Sequence, residues 1–208
     1  MKKEKDYIRD IAEIRSMMER SSKFLSLSGW AGVMAGIYAI IGVYIAHKLF
    51  HFNPGETAYT STTPGSWPDN FTNVFSLALS VLILAIGTAI FFSYNKANKR
   101  NEKLWNPTSR RLLVNMAIPL VTGGVLTLIL ISKALLDLIA PFTLLFYGLA
   151  LYNAGKFTYG EVRVLGLIEI GLGLIGAYFT GTGLLCWAIG FGVLHIIYGI
   201  YIHYKYEQ

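Results

Sequence analysis

The chain has 208 residues, of which 54% are hydrophobic and only 14% are charged, and its formal net charge is +6. Because soluble domains average about 25% charged residues, this composition excludes an ordinary soluble domain. The single cysteine, Cys186, excludes an internal disulfide and any metal site built from several cysteines.

The N-terminal segment, residues 1–23, is charged throughout and carries a regular set of apolar side chains. Tyr7, Ile11, Ile14 and Met18 have the spacing of one helical face. We predict a cytoplasmic amphipathic helix here that lies on the inner leaflet of the membrane. The alternative is a helix that pairs with a second copy of the chain or with a soluble partner.

Six long apolar stretches follow, and each has about the 20 residues that a helix needs to cross a hydrocarbon core roughly 30 Å thick. The predicted fold class is therefore all-α, a polytopic membrane bundle of six transmembrane helices with an amphipathic N-terminal helix. One transmembrane domain covers residues 24–204. Its predicted spans are residues 24–46, 71–94, 112–131, 135–152, 162–180 and 184–203.

Small residues on several spans predict where helices pack closely, since they let backbones approach each other in lipid. We expect the glycine faces of the last two spans, which form an antiparallel hairpin, to pack against each other. Pro119 in the third span predicts a kink, because proline removes a helix hydrogen bond and clashes with the preceding turn. The close-packing residues are Gly32 and Gly36 in the first span, Gly166, Gly173 and Gly176 in the fifth, and Gly192 and Gly199 in the sixth.

The positive charges predict the orientation. With the N-terminus inside, Lys48 and Lys133 are the only ones of the 18 Lys and Arg residues that fall on the outer side. Such a bias over short loops follows the positive-inside rule. We predict a bacterial cytoplasmic (inner) membrane protein with both termini in the cytoplasm. Because this rule explains the net charge, no nucleic-acid partner is expected.

Two ionisable residues, Glu169 and His195, lie well within the predicted spans. Each is roughly 10 Å from the cytoplasmic end of its helix, so the hairpin places them at one depth. We predict that they form a buried hydrogen bond or ion pair. The pair is either a proton relay or a structural clasp, and its spacing does not separate these alternatives. Tyr147, Tyr198 and Asn115 are further candidate partners.

No catalytic, cofactor or metal signature accompanies this pair. His47 and His51 are four residues apart near the predicted outer interface, but two ligands are too few for a zinc site. We therefore expect no enzyme activity, no cofactor and no metal.

The C-terminal half resembles a known group of proteins. PFTLLFYGLAL from Pro141 is followed by GLIEIGLGL from Gly166 and by WAIGFGVLHIIYG from Trp187. These runs resemble a family of small, uncharacterised bacterial membrane proteins. More weakly, the glycine-spaced hairpin is similar to the repeats of acid-resistance membrane proteins, which are six-span proteins built from three hairpins. The Glu169–His195 pair is not part of that repeat.

The resulting functional expectation is a non-enzymatic accessory, stress-related or regulatory membrane component. It sits in the lipid bilayer and either forms a homo-oligomer or binds a soluble cytoplasmic partner through residues 1–22. The alternative function is a small proton-coupled transporter or channel that uses Glu169 and His195.

Overall fold

The computed structural model describes residues 28–52, 70–99, 105–179 and 181–207, and this part of the chain is helical, with turns but no strands. A 3₁₀ turn, Leu136–Leu138, precedes the fourth helix. The described ranges contain six helices: α1 (Gly29–Lys48), α2 (Phe71–Lys99), α3 (Pro107–Ser132), α4 (Ile139–Ala154), α5 (Glu161–Tyr178) and α6 (Gly183–Tyr206).

Within these ranges, five helices are long and apolar enough to cross a membrane: α1, α2, α3, α6, and α4 taken with its 3₁₀ turn. The remaining helix, α5, carries Glu161, Arg163 and Glu169 within 18 residues. The prediction of an all-helical fold with several helices able to cross a membrane is confirmed, whereas the count of six spans stays a prediction. The proposed amphipathic helix of residues 1–23, and the start of the first span at Phe24, lie outside the described residues.

The helix boundaries extend several predicted spans. α2 continues to Lys99, and α3 begins at Pro107 rather than near Leu112. The early start of α3 has a local cause, because Asn106 and Ser109 form a reciprocal capping box ahead of the apolar run. The amide of Ser109 donates to Asn106 Oδ1 at 2.8 Å. α3 continues through Pro119, and the kink there stays a prediction.

The helices pack in two groups that meet at α6. α1 packs against α2 and α6, while α4 packs between α3 and α5. The first turns of α6 contact both α4 and α5, which joins the groups. α2 has buried residues only near its C-terminal end, at Ser93 and Ala97, as expected for a helix that faces lipid.

The glycine faces of α5 and α6 do not pack against each other, so that part of the prediction is wrong. A methyl group on Gly166 would lie 2.7 Å from the carbonyl oxygen of Gly148 in α4, and Gly173 meets α4 in the same way. On α6, a methyl group on Gly199 would lie 2.5 Å from the carbonyl oxygen of Gly29 in α1. Each glycine face therefore packs on a different helix.

The other predicted glycines follow this pairing. Gly32 and Gly36 of α1 meet the backbone of α6 beside Gly199 and Gly192, whereas Gly192 itself lies against the Ile40 side chain. Only Gly176 of the α5 set faces α6, where the Cβ of Cys186 lies 3.4 Å from the position of an added methyl group. At Gly36 the carbonyl oxygen of Gly192 would lie 2.6 Å from an added methyl group, so a small residue is required at that contact.

A carboxylate ties three helices together at the end of the bundle where α6 finishes. Glu207 accepts hydrogen bonds at 2.8 Å from the Gly29 amide, from Lys96 Nζ and from His203 Nδ1. Ser28, at the N-cap of α1, makes no side-chain cap, so Glu207 supplies that cap from the opposite end of the chain. Burial alone would raise the pKa of Glu207, but these donors outweigh it and lower the pKa to about 2.

Replacing Gly199 with alanine is expected to destabilise the α1–α6 contact by roughly 1–3 kcal/mol, because the added methyl group overlaps the backbone of α1. The measurement is thermal unfolding of the purified protein in detergent. Gly87→Ala in α2 is the matched control, since nothing lies within 4 Å of its added methyl group. Equal melting temperatures for the two variants would contradict the close contact.

Glu207→Gln is expected to cost about 2 kcal/mol at neutral pH, because hydrogen bonds to a charged group are lost. Since folding lowers the pKa of Glu207, its stabilising effect is present above its ordinary pKa of 4.5 and is lost as the pH falls towards about 2. The difference in melting temperature between wild type and variant should shrink over that window. Glu161→Gln breaks a more exposed ion pair with Lys205, so it should lower the free energy of unfolding by less than Glu207→Gln does. A pH-independent difference would contradict this account.

Candidate functional site

Glu169 and His195 meet inside the bundle. Glu169 lies in the middle of α5, and its side chain is 0% exposed. His195 lies where the last α-helical part of α6 begins, directly after the π-helical stretch Ala188–Leu194. The distance from His195 Nδ1 to Glu169 Oε1 is 3.4 Å. The two predicted site residues are therefore brought together across α5 and α6.

The carboxyl group of Glu169 is buried without a hydrogen-bond partner at either oxygen. The 3.4 Å approach of His195 is an ion-pair distance, but it is longer than an ordinary N–H···O bond. An isolated carboxylate in an apolar environment carries a large desolvation cost, which the neutral acid avoids. The two groups are therefore in ion-pair contact without an ordinary hydrogen bond between them.

His195 is instead held by two other groups. Its Nδ1 lies 2.9 Å from the carbonyl oxygen of Gly190, and its Nε2 lies 2.9 Å from the hydroxyl of Tyr147 in α4. Since a carbonyl oxygen can only accept, these bonds place the imidazole proton on Nδ1 and make Tyr147 the donor to Nε2. The bond to Tyr147 links α6 to α4. His195 therefore makes the hydrogen bond between helices, and Glu169 lies next to His195 without sharing that bond.

The same heavy atoms accommodate two arrangements that differ by one proton on Glu169. In the first arrangement, His195 Nδ1–H donates to the Gly190 carbonyl oxygen. The ionised carboxylate of Glu169 accepts no hydrogen bond, because its nearest donor is Nδ1 at 3.4 Å. In the second arrangement, Glu169 is protonated and moves slightly closer to His195, so that its hydroxyl donates to Nδ1. His195 Nε2–H then donates to the Tyr147 oxygen, and the Gly190 carbonyl oxygen loses its donor. The first arrangement leaves the Glu169 carboxylate unsatisfied, whereas the second leaves the Gly190 carbonyl oxygen and the Tyr147 hydroxyl proton without these partners. An unsatisfied buried group costs roughly 1–3 kcal/mol when it is neutral and more when it is charged.

Gly190 makes this geometry feasible, although no sequence motif singled it out. A methyl group on Gly190 would collide with Oε2 of Glu169 and lie 2.6 Å from Leu144 Cδ2. Gly190 also lies inside the π-helical stretch, a local structure that is frequent at functional sites. The only available signal was the run of small residues ahead of His195.

An aromatic wall closes the site on its other side. The Phe191 ring lies 4.8 Å from the Tyr147 ring, 4.9 Å from the Trp187 ring and 5.7 Å from the His195 ring, measured between centroids. These rings exclude solvent from the imidazole, which belongs to a residue that is only 5% exposed.

The remaining sequence candidates lie apart from the pair. Asn115 donates to the Arg111 carbonyl oxygen of its own helix at 2.8 Å. Tyr198 packs against a cluster of buried apolar side chains that Tyr147 also contacts. Among the residues that the structure describes, no three His, Cys, Asp or Glu side chains come together as a metal site would need.

The fold is all-helical, with several helices long and apolar enough to cross a membrane, and the site brings a buried carboxyl, imidazole and phenol together between α4, α5 and α6. Comparison of the chain with models of protein families, with curated proteins and with solved structures finds no match.

Tyr147→Phe is expected to lower stability by about 0.6–1.7 kcal/mol, the range measured for hydrogen bonds between membrane helices. The ring and its packing remain, and only the hydroxyl bonded to His195 is lost. Thermal unfolding in detergent measures the effect. Tyr178→Phe, at a residue that is 81% exposed, is the control and should be neutral. A neutral Tyr147→Phe would show that this bond does not hold α6 to α4.

Proposed function

We propose that this chain is a six-span protein of the bacterial inner membrane with both termini in the cytoplasm. The charge bias supports this orientation, and the antiparallel α4–α5 packing supports a crossing by α5 as well. α5 carries three charged residues, with Glu169 in its middle and Glu161 and Arg163 in its first turn. Residues 1–23 form the amphipathic helix on the inner leaflet in this proposal.

The proposed activity is non-enzymatic: the protein is an accessory, stress-related or regulatory membrane component that binds a proton at Glu169. One observation carries this proposal, namely a fully buried carboxyl without a hydrogen-bond partner, 3.4 Å from an imidazole. An ionisable residue inside a membrane is costly and is a functional-site hypothesis by default. Because the two proton arrangements differ by one proton on Glu169, a change in pH shifts their balance and the strength of the His195 contacts between helices.

The second candidate function is a small proton-coupled transporter or channel. The π-helical stretch Ala188–Leu194 favours it, because a π segment that converts to α-helix would rotate His195 relative to Glu169. In the described structure Glu169 is sealed, so transport would require such a rearrangement. Both functions use Glu169 as the proton-binding residue. They differ because only the transporter or channel carries a net flux of protons across the membrane.

A soluble cytoplasmic partner or a second copy of the chain completes the accessory proposal. Residues 1–22 would supply the contact, since their apolar face is available to a partner whenever it leaves the lipid surface. Removal of residues 1–22 would then release the partner while leaving the bundle folded.

Glu169→Gln is expected to make the protein more stable than wild type at alkaline pH. Denatured wild type ionises near the ordinary pKa of a glutamate, whereas the folded site favours the neutral acid, so the native state binds more protons. Wild-type stability should therefore fall with rising pH, relative to the variant, by up to about 1.4 kcal/mol per pH unit. Thermal unfolding at a series of pH values measures this difference.

Infrared difference spectra between acidic and alkaline pH test the same residue directly. A protonated carboxyl band should be present in wild type, absent in Glu169→Gln and retained in the Glu161→Gln control. Identical spectra for wild type and Glu169→Gln would overturn proton binding at this site. A flux of protons into proteoliposomes that Glu169→Gln abolishes would select the transporter over the accessory component.

A further inference from the structure

An open cleft of about 550 Å³ lies beside the first turns of α3. Its lining includes the side chains of Trp105, Arg110, Arg111, Val114 and Asn115, and it is separate from the Glu169 site, whose residues do not line it. Over the described residues, the lining of the cleft has no carboxylate. An anion that enters it therefore meets two guanidinium groups and no opposing charge.

The two arginines have no counter-charge from the bundle. Lys96 and Lys205 each form an ion pair with a glutamate. By contrast, the guanidinium groups of Arg110 and Arg111 are exposed and make no hydrogen bond or ion pair with the part of the chain that the structure describes. The charge of the arginine pair is therefore available to an anion from outside the chain.

The donors in this cleft are side chains rather than the backbone at the start of α3. Pro107 has no amide proton, and the amide of Ser109 already donates to Asn106 Oδ1. Arginine suits a phosphate, because its planar guanidinium presents parallel N–H groups to two phosphate oxygens. Two adjacent arginines can thus bind one phosphate group from two directions.

An apolar stripe continues from the cleft along α3. Four exposed side chains follow Arg111 at the spacing of one helical face: Val114, Ile118, Val121 and Val125. α3 is one of the helices that are long and apolar enough to cross a membrane. The stripe from Val114 to Val125 is about 16 Å long, which matches one leaflet of a hydrocarbon core roughly 30 Å thick. The cleft therefore opens onto the space that an acyl chain of one leaflet occupies.

We propose that the cleft binds an anionic phospholipid, with its phosphate on Arg110 and Arg111 and one acyl chain along the stripe from Val114 to Val125. Trp105, which is 69% exposed, lies beside the headgroup, at the level where tryptophan is enriched in membrane proteins. A free phosphate would use the arginines but not the stripe. A zwitterionic lipid would bring an ammonium group close to two positive charges, which is unfavourable.

This inference goes beyond proton binding at Glu169 and does not depend on it. The orientation proposed from the charge bias places the cleft at the inner leaflet, where basic pockets beside membrane spans bind anionic headgroups. A lipid that binds the folded cleft and not the denatured chain stabilises the bundle increasingly as its concentration rises. The stability of the protein would then follow the anionic lipid content of the membrane.

Native mass spectrometry of the purified full chain in detergent, titrated with dioleoylphosphatidylglycerol, tests the site. Wild type is expected to retain one molecule of this lipid in preference to dioleoylphosphatidylcholine. The double variant Arg110→Gln, Arg111→Gln should raise the apparent Kd roughly tenfold or more, given the attraction of anionic lipid for each arginine. The matched control is Lys99→Gln, Lys156→Gln, which removes two exposed positive charges outside the cleft and should bind like wild type.

A second pair of measurements separates a lipid from a free phosphate. Ile118→Gln interrupts the stripe and leaves both arginines in place, so it should weaken the binding of phosphatidylglycerol several-fold. Inorganic phosphate shares the headgroup chemistry but has no acyl chain. It should displace the lipid only at concentrations far above that of the lipid.

The outcomes decide each part of the proposal. Equal affinity for the two lipids would overturn the preference for an anionic headgroup. An arginine double variant that binds as tightly as the lysine control would show that the cleft is not the site. Displacement by inorganic phosphate at the concentration of the lipid, with Ile118→Gln unchanged, would replace the phospholipid by a free phosphate compound.

Should the double variant fail to fold, the single variants Arg110→Gln and Arg111→Gln decide, and unchanged affinity in both overturns the proposal. Because these measurements use detergent solution, they do not depend on the orientation in the membrane. They also leave proton binding untouched, since that proposal stands or falls with the carboxyl band of Glu169.

Discussion

Direct contact between helix backbones is the constraint on which the rest of this bundle depends. At the α1–α6 and α4–α5 contacts, carbonyl oxygens approach the glycines so closely that no Cβ fits. In lipid, association of helices relies on such packing, because hydrocarbon provides no hydrophobic driving force between them. Because neither contact has room for a larger side chain, the two contacts fix the rotation of α5 and α6 about their own axes. This rotation determines which residues the two helices present to each other.

The polar site follows from that fixed rotation. The glycines Gly166 and Gly173 turn one face of α5 onto α4, and Gly192 and Gly199 turn one face of α6 onto α1. Glu169 and His195 then meet where the remaining faces converge with Tyr147. The carboxyl fits beside the backbone of α6 because residue 190 is a glycine. Close packing thus creates a space that accepts a carboxyl group but leaves no room for the water that would solvate it.

Much of this arrangement was predictable from the sequence, and the failures have identifiable causes. Apolar length and charge deficit predicted the helices, and the antiparallel hairpin placed Glu169 and His195 at one depth. The partners of the glycine faces were not predictable, because a small face shows that a helix packs closely without showing which helix it packs on. Gly148 of α4 and Gly29 of α1 supply those partners.

Two other features depend on contacts between residues far apart in the chain. The amide of Gly29 is capped by Glu207, so the signal for the start of α1 is absent from its own neighbourhood. The π-helical stretch of α6 has no proline, and its glycines do not distinguish it from the other glycine-containing helices. Both are set by tertiary contacts, which local propensity does not contain.

The sealed position of Glu169 does not by itself favour a structural role over proton binding. A clasp gains stability only if its polar groups are satisfied, and an unsatisfied buried carboxyl weakens a bundle. Here the imidazole bonds to Gly190 and Tyr147 instead, and the carboxyl adds a cost that a leucine at position 169 would avoid. The burial that excludes water leaves the Tyr147 hydroxyl as the described polar contact of His195 Nε2. A proton therefore reaches Glu169 either through side chains of the bundle or when the bundle opens.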